Sequence, residues 1–267
     1  MSSPSWADAA LQQFDAIVQA TAGFRPRPGQ QQMATLVAQT FERAQLGKVA
    51  EGEGAPQRAL AVIQAGTGVG KSLAYCVPAI HVALARGTRV LISTATVALQ
   101  EQLVHKDLPT LAAQMPQPFA FALAKGRGRY VCKLKLERLL SGVGEDDDVV
   151  PDDLLAAEAA EQRLVRRSVA AQGERAQFYA SLAQSLASSQ WDGDRDQLPT
   201  PPEPELWASV AADAHTCTNK HCPLFAQCSY FERRKELVAA QVIVANHDLL
   251  LSSLGARLLP ELDNCLL

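Results

Sequence analysis

Residues 59–72 read Ala59-Leu60-Ala61-Val62-Ile63-Gln64-Ala65-Gly66-Thr67-Gly68-Val69-Gly70-Lys71-Ser72. The short apolar run 59–64, bounded by loop signals, predicts a buried strand. The glycines that follow let the backbone curl so that its N–H groups point inward. Lys71 then opens a helix predicted to run to Arg86, where Gly87 breaks it. Strand, glycine-rich turn, Lys-Ser and helix, in that order, give a phosphate-binding loop its physical context. Loop N–H groups and the partial positive charge of the helix N-terminus attract phosphate oxygens. Ala65, Gly66, Thr67, Gly68, Val69, Gly70, Lys71 and Ser72 are therefore the candidate nucleotide cradle. Lys71 would reach the β- and γ-phosphates, and the Ser72 hydroxyl would ligate Mg²⁺. The bland alternative is a glycine turn ahead of a helix.

Outward from this loop, 6–22 and 30–46 read as helices. Arg89 to Ser93 reads as a second buried strand, Val97 to Lys106 as a helix, Phe119 to Ala124 as a third strand and Val242 to Ala245 as another. Strands alternating with helices predict a parallel sheet with crossover helices. The alternation stops after residue 125. A basic stretch, the acidic run Glu145 to Asp148, an Ala-, Gln- and Leu-rich helical region (152–190) and the Pro-rich Pro199 to Pro204 follow. The simplest parse has three parts: 1–125 as the first part of an α/β domain, 126–235 as a mostly helical insertion, and 236–267 as the return to the first domain.

The composition is globular: of 267 residues, 48% are hydrophobic and 20% charged. That excludes a collagen-like or wholly disordered chain. No apolar run approaches 18 residues, so no membrane span is expected. Met1 to Ala10 lacks the basic and apolar blocks of a signal peptide, and the expected setting is a reducing cytoplasm. A net charge of −3 excludes a polycation but not a local basic patch.

Three of the six cysteines, Cys217, Cys222 and Cys228, are separated by four and then five residues, and Cys132 lies far upstream. In a reducing compartment this pattern reads as a metal site before it reads as disulfides. Four thiolates hold either a zinc ion or an iron–sulfur cluster. Uneven spacing with one distant ligand suits a cubane cluster, which is larger than a single ion. His215 and His221 keep a zinc reading open. Cys76 and Cys265 sit in apolar runs and read as plain core.

Lys125, Arg127, Arg129, Lys133, Lys135 and Arg138 crowd within fourteen residues around Tyr130 and Cys132. Such a stretch suits phosphate contacts with base stacking on a single strand, against the plainer reading of a solvated helix face. A Mg²⁺ carboxylate at a strand end is harder to find. Asn246 follows the strand 242–245, and Asp248, two residues on, is a weak candidate beside the reading of a polar turn.

Taken together, these motifs resemble the iron–sulfur helicases of superfamily two, the XPD-like group. Gly23 to Arg27 with Gln30, Gln32 and Met33 resembles that family's adenine-reading segment, which implies Arg27 and Gln30 as adenine contacts. Residues 65–72 resemble its motif I, where an initial Ala is usual. Ser93 to Gln100 resembles motif Ia, which implies Thr94, Thr96 and Gln100 as DNA-backbone contacts. Gly126 to Cys132 resembles the segment carrying the first cluster ligand, and Lys125, Arg127, Arg129 and Tyr130 are further candidate DNA contacts. Gly193 to Asp196, the later cysteines and Val244 to Leu250 match the family in order. The resemblance implies an α/β RecA-like P-loop motor domain interrupted by a four-cysteine iron–sulfur insertion. It also implies ATP, Mg²⁺ and a [4Fe–4S] cluster on Cys132, Cys217, Cys222 and Cys228. The expected activity is 5′-to-3′ unwinding of DNA in repair or in resolving unusual structures. Single-stranded and forked DNA are the expected partners of a monomeric, nucleoid-associated protein.

Asn264 to Leu267 reads as the start of a strand that in the family runs into an Asp-Glu-x-His box. The expectation is therefore an N-terminal fragment that binds nucleotide weakly and does not turn over. Two alternatives stand beside it: a non-catalytic module binding single-stranded DNA or nucleotide, and a zinc-stabilised P-loop ATPase.

Overall fold

The structure is a computed structural model. It describes residues 5–20, 23, 27–47, 58–141, 158–256, 258–260 and 262–267, with backbone alone for 158–172, 255–256 and 263. The acidic run at 145–148 and residues 24–26 lie outside the described set. The chain forms two compact units, one of Met1–Lys125 with Lys235–Leu267 and the other of Gly126–Arg234.

The first unit is an α/β layer structure. Helices α1 (Trp6–Ala20), α2 (Pro28–Arg43) and α3 (Lys71–Ala85) precede strand β1 (Arg89–Thr94). Helix α4 (Val97–Gln102) passes through a wide π turn (Leu103–Asp107) into α5 (Leu108–Gln114). Pro109 lies in the first turn of α5 and has no N–H to give the preceding turn, so a widened turn is accommodated there. Strands β2 (Phe121–Leu123), β3 (Val242–Asn246) and β4 (Cys265–Leu266) complete a sheet of order β2-β3-β1-β4, all parallel. In register, Val90 faces Val242, Phe121 also faces Val242, and Arg89 faces Cys265.

Because successive side chains point to opposite faces of a strand, the sheet feeds two cores. Val90, Ile92, Val242, Val244 and Leu266 join Phe14, Val18, Val77 and Ile80 of the helices. Leu91, Ala122, Ile243 and Ala245 join Leu237, Ala240 and Leu259 on the other face. A sheet covered on both faces accounts for the near-continuous burial of β1 and β3.

One expected element is corrected. Residues 58–64 form no strand, and they are not buried: Leu60 is 89% and Val62 92% exposed. Ala59, Ala61 and Ile63 are half-buried, and Ile63 packs against the first core. The backbone keeps an alternating inward–outward pattern, but no described residue forms a ladder with it. Composition reported the strand-forming side chains correctly and could not report the missing neighbour. The expected strand 119–124 contracts to 121–123, and the expected helix 97–106 extends through the π turn to Gln114.

The second unit holds helices α6 (Lys133–Leu140), α7 (Glu158–Ala187) and α8 (Pro204–Val210), and α9 (Ser229–Ala239) begins within it. Its core is Val131, Leu136, Tyr179, Leu182, Trp191, Trp207 and Val210. The two indoles meet edge-on with centroids 6.4 Å apart. Their N–H groups donate to the backbone oxygens of Asp194 and Gly128, each at 2.7 Å. Each buried indole thus has the partner its polar edge requires. Among the described residues no helix is long and apolar enough to cross a membrane.

Candidate functional site

In the first unit the glycine-rich loop leads directly into α3. Gly68 and Gly70 have φ of 74° and 84°, backbone that L side chains rarely adopt, so glycine is required at both. Gly70 is the residue before the helix, and the first-turn N–H groups of α3 have no side-chain cap. Those donors are the ones a phosphate satisfies. Lys71 Nζ donates to the carbonyls of Ala65 (3.1 Å) and Gly66 (3.0 Å), so its ammonium spans the mouth of the loop. Ser72 follows, half-buried.

Arg27 and Gln30, from the start of α2, are fastened to the same loop. The Arg27 guanidinium donates to the Gly68 carbonyl, and Gln30 Nε2 donates to the Gly70 carbonyl at 3.0 Å. Gln30 is fully buried, and its Oε1 has no hydrogen-bond partner among the described residues. A buried acceptor without a donor is costly. The Gln30 amide is held beside the phosphate loop through the Gly70 carbonyl. The structure thereby brings together residues separated by about forty positions in sequence.

The motif Ia segment is placed differently from expectation. Thr94 (9% exposed) and Gln100 (6%) are buried. Thr94 Oγ1 donates to the Thr96 carbonyl, and Thr96 Oγ1 accepts the Leu99 N–H as the N-cap of α4. Only Thr96 of the three is exposed. Nearby, Ser93 Oγ and His247 Nδ1 lie 2.7 Å apart, linking the ends of the adjacent strands β1 and β3. Sequence reading missed this pair, because only strand register brings residues 154 apart together. Asn246 Oδ1 accepts the Leu249 N–H at 2.7 Å and caps α10 (His247–Ala256), which puts exposed Asp248 in that helix's first turn. A carboxylate there has a local reason of its own, the helix dipole.

In the second unit the four cysteines converge. The segment carrying Cys132 is stitched on both sides: Val131 N–H donates to Gly193 O (2.9 Å) and Cys132 N–H to Val210 O (2.7 Å). Single-turn 3₁₀ helices at Asn219–His221 and Phe225–Gln227 present Cys222 and Cys228 at their C-terminal ends. Asn219 N–H donates to Cys217 Sγ at 3.4 Å. Cys132, Cys217, Cys222 and Cys228 all line one cavity of about 80 Å³, with Arg127, Lys135, Arg138 and Asp213 among its other walls. His215 and His221 are exposed and do not line it. Burial pushes the Cys228 thiol up, and the neighbouring Cys132 and Cys217 add to this. Among the described residues no group of three or more His, Cys, Asp or Glu is placed to hold a metal ion.

Cys76 is buried and Cys265 packs against the second core. Burial raises both thiols, Cys265 to about 11, in keeping with inert core cysteines. Tyr130, expected as a base-stacking residue, is 3% exposed, with its ring 5.8 Å from that of Tyr230. Arg127 is also turned inward, its guanidinium 4.4 Å from the Tyr230 ring centre. Arg129 is exposed and pairs with Asp196 at 3.0 Å, and Lys125 is half-buried.

The DEAD/DEAH box helicase family model matches residues 38–117. The chain is 37% identical over 227 residues to the ATP-dependent DNA helicase DinG of Photobacterium profundum, covering 84% of this chain and 30% of that protein. It is 35% identical over 258 residues to the ATP-dependent DNA helicase DinG of Escherichia coli (strain K12), covering 95% and 32%. For the protein of the same name from Salmonella typhimurium the identity is 35% over 248 residues, covering 91% and 31%. The chain spans about a third of the length of these relatives.

Proposed function

We propose that this DinG-like chain supplies the nucleotide-binding loop and a cysteine-held cluster to an ATP-dependent DNA helicase. The observation that carries the reading is the phosphate loop fastened by Arg27 and Gln30, with the buried Gln30 Oε1 left to accept from an adenine amino group. On binding ATP, Lys71 exchanges its carbonyl partners for phosphate oxygens, a stronger charge-assisted contact. The Ser72 hydroxyl is the chain's own ligand for Mg²⁺, and the loop N–H groups hold the phosphates.

The cavity in the second unit fits a multi-atom cluster by its donor set, its size and its charge. Its volume is about 80 Å³, whereas a single water needs only ~10–15 Å³. Three cations on its walls complement an anionic, thiolate-bound group. We assign Cys132, Cys217, Cys222 and Cys228 as ligands of a [4Fe–4S] cluster, which when bound would cross-link the segments that carry them. Its role in this reading is structural. Thr96 and Lys125 in one unit and Arg129 in the other are the proposed DNA contacts. Single-stranded or forked DNA is the proposed substrate of the whole protein, acting as a nucleoid-associated monomer. Thr94, Gln100 and Tyr130 serve by packing.

Calorimetric titration of the anaerobically purified chain with ATP and Mg²⁺ tests the first part. Binding lost in Lys71→Ala and weakened in Gln30→Ala is the expected result. Equal affinity in wild type and Lys71→Ala would overturn the assignment. For the second part, about four iron and four sulfide per chain, with visible absorption lost in Cys132→Ser, is expected. Zinc without iron would replace the cluster with the zinc-stabilised alternative.

A further inference from the structure

Helix α3 carries a run of polar groups that starts at the mouth of the phosphate loop and ends in the core. Ser72 and Tyr75 are three positions apart in α3, so they are neighbours on one face of the helix. A long side chain in a helix leans back towards the N-terminus, which brings the Tyr75 phenol over the turn that holds Ser72. The Tyr75 ring is half-buried and packs against the first core. Its hydroxyl is hydrogen-bonded to the Ser72 side chain and to that of Cys76. Cys76 is fully buried, so the run ends there. Burial pushes the Tyr75 phenol above its ordinary value, which keeps it a neutral hydroxyl at neutral pH. Each hydroxyl has one proton to give and two lone pairs. A Mg²⁺ ion is a hard cation that takes an oxygen lone pair, so the proton of a hydroxyl ligand must find its acceptor on the side away from the ion.

We propose that Tyr75 is a positioning residue for the metal–nucleotide complex: its Oη accepts the Ser72 proton and so turns a Ser72 lone pair towards the Mg²⁺ that accompanies ATP. This inference rests on the assignment of Ser72 as the Mg²⁺ ligand above. Tyr75 acts through Ser72 and is itself neither a metal ligand nor a nucleotide contact. Its own proton goes to the Cys76 sulfur, which sets the direction of the hydrogen bonds from Ser72 inward. The core position of Cys76 thereby acquires a use that its unreactive thiol alone does not suggest.

The test is calorimetric titration with ATP, in excess Mg²⁺ and again in EDTA, of the wild type, Tyr75→Phe, Ser72→Ala and the double variant. Tyr75→Phe keeps the ring and removes only the hydroxyl. It is expected to bind ATP about fivefold more weakly in Mg²⁺, the worth of one hydrogen bond. Its affinity in EDTA is expected to be that of the wild type, because metal-free ATP makes no call on the Ser72 lone pair. The double variant is expected to bind no more weakly than Ser72→Ala, since the phenol acts only through Ser72. An unchanged affinity in Mg²⁺, an equal loss in Mg²⁺ and EDTA, or losses that add in the double variant would each overturn the proposal while leaving Ser72 assigned. A Ser72→Ala variant that keeps the full effect of Mg²⁺ overturns the assignment and the proposal together, as does a wild type that binds no ATP. Where Tyr75→Phe does not fold, the wild type labelled with 3-fluorotyrosine serves instead. Its Tyr75 fluorine resonance is expected to shift when Mg²⁺ is added to the ATP complex, and a resonance that stays in place overturns the proposal.

Discussion

Gly193→Ala should be among the most damaging small substitutions in the second unit. Gly193 has φ of +95°. A Cβ placed there would lie 2.3 Å from Ser229 Oγ, 2.7 Å from Ser229 Cβ and 3.0 Å from Val131 Cγ1. Ser229 is buried and short, at the first residue of α9, so rotation of its side chain cannot remove the contact with its own Cβ. A non-glycine residue at positive φ costs about 1–3 kcal/mol, and overpacking a full site about as much again. The sum is about 3 kcal/mol or more. With a urea slope of about 2 kcal/mol per molar, the unfolding midpoint falls by about 1.5 M. The assay is tryptophan fluorescence in a Trp6→Phe background, which leaves Trp191 and Trp207, both in this unit's core, as reporters. Gly126→Ala is the control, because a Cβ added there would meet nothing within 4 Å and its φ is −61°. A midpoint for Gly193→Ala within the error of that control would refute the reasoning. Because Gly193 O also holds the Val131 N–H next to Cys132, the cluster proposed there should be lost along with stability, read as a fall in iron content.

Other substitutions test separate links. Gln30→Ala should weaken ATP binding about tenfold, roughly 1.4 kcal/mol, and GTP binding by less, because adenine presents an amino donor at C6 where guanine presents a carbonyl acceptor; equal losses for both nucleotides would argue for a purely structural role. Thr96→Ala removes the N-cap of α4 and should cost about 1 kcal/mol, seen as a thermal midpoint a few degrees lower. Burial alone would raise the Asp192 carboxyl, but the Asp194 N–H and the Arg233 guanidinium overcome this and hold it below the ordinary carboxylate range. A lowered folded-state value contributes stability above the unfolded-state pKa of about 3.9 that is lost as pH falls through the folded value. Acid unfolding of Asp192→Asn should therefore show a flatter dependence below about pH 4 than wild type.

The phosphate loop was legible because its chemistry is local: glycines at Gly68 and Gly70, then Lys71 and Ser72, fall within a few consecutive positions. The parallel sheet was legible from the apolar runs at β1 and β3. Burial at Leu60 and Val62 was not, since a side chain's hydrophobicity says nothing about whether a neighbouring strand is there to cover it. Basic residues around Cys132 were read as one exposed patch. The fold instead sorts them, turning Arg127 onto Tyr230 and leaving Arg129 at the surface beside Asp196. That sorting depends on aromatic residues about a hundred positions away, which no local pattern contains. The Ser93–His247 and Asp192–Arg233 pairs were missed for the same reason.

The placement of the second unit between β2 and β3 sets an order of events for the newly made chain. Phe121 pairs with Val242 and Val90 with the same residue, so the central strand pairings close loops of more than a hundred residues. Each doubling of a flexible loop adds only about 0.6 kcal/mol of closure cost, but contacts so distant in sequence slow the search for the native sheet. Residues 126–234 pack around their own core. Once they collapse, the tether between β2 and β3 shortens from an open coil to a compact body. Sheet closure should then be faster once the second unit has collapsed. A chain starved of whatever fills the cysteine cavity should show its defect first as slow maturation of the nucleotide-binding half.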